Sequence, residues 1–253
     1  MIAVQEPEED EIAKTQRVLG ANNEYILQAN EYGGKDALFA LILFIVVMFG
    51  LSLVGKLFLH KGNALTEIYM VSVTGIYSMI FIGLAFLFCK IRRQKLVTIG
   101  FSKTQAKKSF IFGILLFGLV AILCSVRAIF SGSIIQTDIK LIMIKIIYYL
   151  IFIAFMEELI FRAYIGTRFF GFFKNKKLSI AIVGIMFSLE HIPFHMILSQ
   201  VSLAAYISSN FTNLIYIALL HILFQWLYAK YNSIIAPTIL HFIWNYIQWF
   251  IIL

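Results

Sequence analysis

The sequence contains few charged residues, few cysteines and few prolines for its length. Asp, Glu, Lys and Arg make up 13% of the 253 residues, about half the share of a soluble domain, whereas 61% are hydrophobic. The two cysteines, Cys89 and Cys124, have no paired spacing, which argues against a disulfide framework and against a cysteine-based metal site. This composition excludes an ordinary water-soluble domain and indicates an integral membrane protein.

Long apolar windows recur along the chain after residue 36. Because a helix crosses a bilayer core with about 20 apolar residues, the windows predict about seven transmembrane helices, within a range of six to eight. We therefore expect an all-α, polytopic transmembrane helical bundle that forms one domain over 37–253. The segment 199–213 fits either an external loop or a short half-helix. The predicted spans are 37–59, 65–89, 109–130, 141–166, 178–198, 211–229 and 234–253.

Residues 1–36 differ from the rest of the chain. They hold eight acidic and three basic residues, a net charge of −5, so the chain's +8 leaves +13 for the remainder. With no apolar core for a signal peptide, this segment is predicted to be a disordered, acidic, cytoplasmic leader. The basic surplus indicates cytoplasmic loops and no nucleic-acid partner, since Lys and Arg gather in such loops. Its two clusters, 90–108 and 168–177, both follow even-numbered spans.

Only five acidic residues follow the leader. Glu67 and Asp138 lie at predicted span ends, but Glu157, Glu158 and Glu190 lie within spans. An ionisable side chain inside a membrane costs roughly 2.5–3.5 kcal/mol, so it needs a partner, a water-filled cavity or a function. Four of the five histidines also lie in or near the late spans: His191, His195, His221 and His241. Polar chemistry is therefore concentrated in the last hundred residues or so.

The stretch AFMEELIFRAYIG places two adjacent carboxylates in an apolar segment. In an α-helix, which turns about 100° per residue, Arg162 lies near the face of Glu158 and far from that of Glu157. The i,i+4 spacing predicts a charge-assisted pair between Glu158 and Arg162. Glu157 is left without that partner and faces another direction. The spacing thus predicts a packing role for one glutamate and a proton-transfer role for the other.

Two further segments project polar groups from one helix face. Phe187 and His191 are four residues apart, with Pro193 close behind, where it removes a backbone hydrogen bond. His195 shares that face one turn further on, and we expect it to be a bystander or a supporting group. His241 and Asn245 also share a face, and an imidazole with an amide is a suitable donor pair for an oxyanion.

The chain carries three motifs in the order Glu157-Glu158-x-x-x-Arg162, Phe187-x-x-x-His191 and His241-x-x-x-Asn245. Together they resemble the CAAX protease and bacteriocin-processing family of intramembrane peptidases, also called the Abi family. The resemblance covers roughly 141–250, and the stretch LYAKYNSIIAPTILHFIWN is similar to the family's usual approach to its last motif. Glu190, directly before His191, departs from the small or apolar residue that we expect there.

The resemblance implies hydrolysis of peptide bonds in a water-filled cavity within the membrane, without a covalent intermediate. Glu157 would then activate water with the help of His191, while His241 and Asn245 stabilise the oxyanion and Glu158 with Arg162 braces the site. The family has also been described as metalloproteases, for which Glu157, His191 and His241 would be the zinc ligands. We expect no cofactor, because Asn245 suits an oxyanion better than zinc, but a zinc-dependent variant stays open.

The expected substrate is a membrane-associated peptide or protein, and the expected location is a bacterial cytoplasmic membrane with the N-terminus in the cytoplasm. A non-catalytic bacteriocin self-immunity protein that binds a peptide is the alternative from another class. A proton-relaying transporter fits less well, since both membrane prolines, Pro193 and Pro237, fall late in the chain rather than in matched halves. The substrate's identity and the oligomeric state do not follow from the sequence.

Overall fold

The computed structural model describes residues 20–252, and that part of the chain is almost entirely helical. Helices α2 to α7 are long and apolar enough to cross a membrane, and each predicted window falls on one of the helices α2 to α8. The prediction of an all-α, polytopic membrane bundle is therefore confirmed. The helices are α1 (Asn23–Asn30), α2 (Gly34–Lys61), α3 (Glu67–Ile91), α4 (Ala106–Ser131), α5 (Ile139–Phe172), α6 (Lys176–Ser199), α7 (Leu203–Tyr231) and α8 (Ile235–Phe250).

Short elements connect the helices at both ends of the bundle. Two 3₁₀ turns, Gly62–Ala64 and Leu96–Ile99, follow α2 and α3. Two-residue strands, β1 (Ile134–Ile135) and β2 (Ile251–Ile252), pair antiparallel. β1 lies just before α5, and β2 lies just after α8. The strand pair is therefore at the end of the bundle where α5 begins and α8 ends, which is opposite α1.

Polar residues that cap the helices determine where several of them begin. The side chains of Thr66, Asp138, Asn175 and Ser202 each accept a hydrogen bond from a backbone N–H in the first turn of α3, α5, α6 and α7. Because Ser202 caps a helix that begins at Leu203, most of the segment 199–213 belongs to a full-length span. The expectation of a loop or half-helix there was wrong.

Helix α5 is irregular around the motif that carries Glu157. Tyr148–Phe155 and Glu158–Gly166 are π-helical, with Met156 and Glu157 between them. A π-helix is wider than an α-helix and is frequent at functional sites. The Ser78 hydroxyl on α3 donates to the Phe152 carbonyl over 2.6 Å and so links α3 to the first π-helical stretch.

Part of the predicted leader is ordered and packed against the bundle. Residues 1–19 lie outside the described residues, but Asn23–Asn30 forms α1, with Tyr25, Ile26 and Ala29 buried. The expectation of disorder does not hold for α1, because these three side chains supply an apolar face that the acidic composition of the whole leader conceals. Its cytoplasmic location stays a prediction.

Close packing and a hydrogen bond attach α1 to the membrane helices. Gln225 on α7 donates to the Tyr25 hydroxyl over 3.1 Å. Gly171 on α5 faces the Ala29 carbonyl so closely that an added Cβ would overlap it. This contact requires glycine for steric room and brings α1 against the end of α5.

A polar network, which we call the α1 cluster, lies at this end of the bundle and consists of the buried Asp36 and Arg168 and the half-buried Arg92 and Gln94. Arg92 Nε and Gln94 Nε2 donate to Asp36 over 2.9 and 2.8 Å, and Arg168 donates to the Gln94 side-chain oxygen over 2.6 Å. Arg168 is completely buried. Its assignment to a basic cytoplasmic loop was wrong, because α5 extends to Phe172 and Arg168 lies within this helix.

Candidate active site

The imidazole of His241 on α8 lies between the two adjacent glutamates of α5. Its Nδ1 is 2.7 Å from Glu158 Oε1, and its Nε2 is 3.7 Å from Glu157 Oε2. The Phe224 ring of α7 stacks on the imidazole, with 5.1 Å between ring centres and 21° between planes. A hydrogen bond on one edge and an aromatic ring on one face hold His241 in a single orientation.

Arg162 holds Glu158 from the other side. Its Nε lies 3.2 Å from Glu158 Oε2, and neither side chain is exposed. The guanidinium also lies 3.9 Å from the ring centre of Phe187 and 4.9 Å from that of Phe224. Such cation–π contacts are stronger when the cation is desolvated. The predicted pair is therefore present, and through Glu158 it extends to His241.

His191 on α6 presents one ring nitrogen to the interior. Its Nδ1 lies 2.9 Å from the Phe187 carbonyl. Because a carbonyl oxygen only accepts, Nδ1 carries the hydrogen, and Nε2 of the neutral ring is left as an acceptor. Helix α6 continues through Pro193 to Ser199. The histidine thus binds the carbonyl four residues earlier rather than the one that the proline releases.

A cavity of about 630 Å³ connects the motifs. Five helices form its walls: α2, α3, α5, α6 and α8. Each contributes residues from the half of its length that lies farther from α1. Among the predicted site residues, Glu157, His191 and Asn245 line it. His241 lies behind Glu157 and is 5% exposed, whereas Glu158 and Arg162 are fully enclosed. The three motifs therefore converge on one space within the bundle.

The structure separates the predicted site residues into two groups. Glu157, His191 and Asn245 face the cavity, and Glu158 with Arg162 supports His241 from the protein interior. The expectation that the two glutamates face different surroundings was incomplete, because the same imidazole lies near both. Their relative direction was derived for a regular α-helix, whereas Glu158 begins a π-helical stretch.

Sequence reasoning did not assign three side chains that contribute to this region. Glu190 and Tyr77 line the cavity, and Phe224 packs on His241. The position of Glu190 within a predicted span indicated a special role, because a carboxylate in a membrane is costly. Its helix face alone did not show which groups it contacts. Tyr77 and Phe224 carry no such signal, since aromatic residues are 16% of the chain. His195, expected to be a bystander, also lines the cavity.

The residues do not fit a zinc site in this arrangement. Across residues 20–252, no group of three His, Cys, Asp or Glu side chains is arranged to hold a metal ion. The Nδ1 atoms of His191 and His241 are already engaged by the Phe187 carbonyl and by Glu158. These contacts leave Nε2 of each ring free for a metal, but Glu157, His191 and His241 do not form the close group that a three-ligand zinc site needs.

Comparison with known proteins agrees with the motifs. A family model described as Type II CAAX prenyl endopeptidase Rce1-like matches residues 139–247, somewhat less than half of the chain, from the start of α5 to beyond Asn245. No curated protein and no solved structure matches the chain. At the level of the family, the match supports a CAAX-protease-like endopeptidase of the membrane. The CAAX protease family, predicted from the three motifs, is thereby confirmed for the segment that contains all of them.

Proposed function

We propose that the chain is an intramembrane endopeptidase that hydrolyses a membrane-associated peptide or protein with water activated by Glu157. The observation that carries the proposal is the position of His241 between Glu158 and Glu157, beside a cavity that His191 and Asn245 also line. An acid, two imidazoles and an amide around one cavity provide the groups that hydrolysis of an amide needs.

Glu157 is the general base in this proposal. It is 9% exposed, lines the cavity, and its Oε2 has no hydrogen-bond partner among the described residues. A water molecule donates one hydrogen bond to Glu157 and another to Nε2 of His191. Glu157 takes the proton as the water oxygen attacks the carbonyl carbon. His191 orients the water, and no bond to the protein forms.

His241 and Asn245 stabilise the oxyanion that this attack creates. Glu158 accepts a hydrogen bond from Nδ1 of His241 and compensates the charge of an imidazolium, whose Nε2–H then donates to the oxyanion. The Asn245 amide is the second donor. Glu157 returns its proton to the leaving nitrogen as the C–N bond breaks, which yields a carboxylic acid and an amine from one water molecule. Arg162 holds Glu158 in place through their charge-assisted contact.

The proposed chemistry uses protein groups alone. The arrangement of Glu157, His191 and His241 supports this, since they do not form a three-ligand cluster. We expect cleavage by purified protein to withstand dialysis against a chelator, and we expect metal analysis to find less than one zinc ion per chain. Loss of cleavage on chelation with recovery on zinc addition would contradict the metal-free mechanism.

The function is tested with Glu157→Gln, which keeps the shape of the side chain and removes its basicity. The full chain is reconstituted in vesicles with a diverse library of acylated peptides, and products are identified by mass spectrometry. Wild type is expected to cleave, and Glu157→Gln is expected to be at least about 1000-fold slower. Glu31→Gln makes the same change on an exposed side chain at the α1 end and should retain full activity. Cleavage by Glu157→Gln at the wild-type rate would overturn the proposal.

A further inference from the structure

Glu190 is a second carboxylate in the cavity without an assigned role. It is 2% exposed and lines the cavity, and no hydrogen bond reaches its Oε2 from the described residues. A buried carboxylate is costly unless something compensates its charge. The charges of Glu157 and Arg162 both act on Glu190, the first repelling its carboxylate and the second attracting it. The mechanism above uses only one of these two acids.

The cations near the cavity are already paired with other acids. Arg162 is enclosed and contacts Glu158. Lys145 contacts aromatic rings at the rim, but it forms a 2.6 Å ion pair with Glu67. Within the described part of the chain, no lysine or arginine side chain lines the cavity itself. The cavity therefore presents two carboxylates; the imidazole of His241 lies 3.7 Å from Glu157, and no ion pair among the described residues reaches Glu190.

Two histidines and three tyrosines, Tyr77, Tyr148 and Tyr149, are the other titratable groups on the cavity wall. His191 is held by the Phe187 carbonyl, His195 lies farther along α6, and no described residue hydrogen-bonds the Tyr77 hydroxyl. A hydroxyl can accept a hydrogen bond from an ammonium or guanidinium group as well as donate one. Tyr77 and Glu190 together thus offer acceptors on the wall of the same cavity that Glu157 lines.

We propose that Glu190 and Tyr77 form a subsite for a cationic group of the substrate, a lysine or arginine side chain close to the peptide bond that is cut. The inference rests on the proposed function and adds a substrate class to it: basic, membrane-associated peptides. A bound cation forms a charge-assisted hydrogen bond with the Glu190 carboxylate. It also offsets the repulsion between Glu190 and Glu157, and it holds the scissile bond next to the water.

The first test measures binding and does not depend on cleavage. The probes are two acylated tetrapeptide amides with N-methylated backbones that resist hydrolysis, identical except for lysine or norleucine at one position. Their affinities are measured on the full chain in nanodiscs of phosphatidylcholine, for each of the four positions. Wild type should prefer lysine at one position, and Glu190→Gln should lower that preference roughly 10- to 100-fold. Glu31→Gln controls for removal of a distant charge and should keep the preference.

The second test uses the cleavage library described above. Wild type should cut bonds with lysine or arginine enriched at one fixed position, and Glu190→Gln should remove that enrichment. Because both tests compare two residues within one preparation, partial loss of folded protein does not imitate the result. Tyr77→Phe should weaken the preference less than Glu190→Gln does, since it removes only a neutral acceptor.

The possible failures are distinguishable. Equal affinity of wild type for the lysine and norleucine probes, or binding of neither, would overturn the cationic subsite while the Glu157→Gln result still decides the proposed function. A lysine preference that survives Glu190→Gln would also overturn it. Cleavage by Glu157→Gln at the wild-type rate would instead remove the catalytic proposal on which the subsite rests.

Discussion

Two buried arginines on the same helix, six residues apart, have different surroundings. Arg168 donates to the Ala163 carbonyl, to the Thr167 hydroxyl and to Gln94 over 2.6 to 2.9 Å. Arg162 has one carboxylate at 3.2 Å and two aromatic faces, and its terminal nitrogens have no hydrogen-bond partner within residues 20–252. The α1 cluster thus uses most of its hydrogen-bonding capacity internally, although Nε of Arg168 has no partner within the described residues, whereas the region around the cavity leaves much of its capacity unused.

This difference separates structural from functional polarity. A network whose donors and acceptors are matched contributes to stability and specifies how the helices pack. A cavity whose acids keep free oxygens stabilises the fold less, but it can bind and react. The comparison predicts that substitutions in the α1 cluster change stability, whereas those around the cavity change catalysis.

Replacement of Arg168 should cause the largest loss of stability. Arg168→Leu leaves Gln94 and the Ala163 carbonyl without their donor, so we expect the free energy of unfolding to fall by about 2–4 kcal/mol. Unfolding in detergent micelles would measure it. Arg127→Leu, at an exposed arginine of α4, is the control and should change stability by less than about 0.5 kcal/mol. Equal effects of the two substitutions would contradict a structural role for the α1 cluster.

Glu158→Gln should slow cleavage and also destabilise the fold, because it leaves the buried Arg162 without its acid. The amide cannot balance an imidazolium at His241, so kcat should fall about 1000-fold while KM changes little. Steady-state cleavage of one library peptide in vesicles measures both constants. The comparison would fail here if KM rose strongly while kcat stayed near the wild-type value, because Glu158 would then act in substrate binding rather than through His241.

Asn245→Ala should have a smaller effect on the same reaction. Removal of one of two oxyanion donors typically costs about 100-fold in kcat. The cavity should keep its shape. Asn245→Asp is a companion variant that retains the size but offers no donor when ionised, and it should be at least as slow. Full activity of both variants would remove Asn245 from the proposed site.

Gly171→Ala should loosen α1 without affecting cleavage strongly. The added Cβ meets the Ala29 carbonyl, so α1 must shift, at an expected cost of about 1–2 kcal/mol. Amide hydrogen exchange over 23–30 should rise, whereas exchange near the cavity should stay as in wild type. Unchanged exchange in α1 would show that this close contact does not hold it.

The sequence predicted the membrane helices and the order of the motifs well. Hydrophobic windows located every span because a bilayer sets a minimum length and tolerates few charges. The Glu158–Arg162 pair followed from helical spacing, and convergence of the three motifs followed from the family resemblance. These inferences depend on local periodicity or on motifs that the sequence displays directly.

Other features depend on tertiary contacts that spacing does not encode. The hydrogen bond between Glu158 and His241 joins residues on different helices, and no local pattern indicates it. Arg168 lies in a basic stretch of sequence that resembles a loop, but α5 extends past it to Phe172 and Arg168 is buried. The π-helical stretches change the direction of side chains in α5, although their residues show no distinctive pattern. Long-range packing determined each of these outcomes.

The most direct test of the central claim is the thermal unfolding midpoint of Glu157→Gln, measured beside its cleavage rate. If Glu157 is kept for chemistry, replacing a buried acid whose Oε2 has no hydrogen-bond partner among the described residues with a neutral amide should leave the midpoint unchanged or raise it while cleavage is lost. A midpoint several degrees lower, with cleavage retained, would contradict the account and make Glu157 a structural residue.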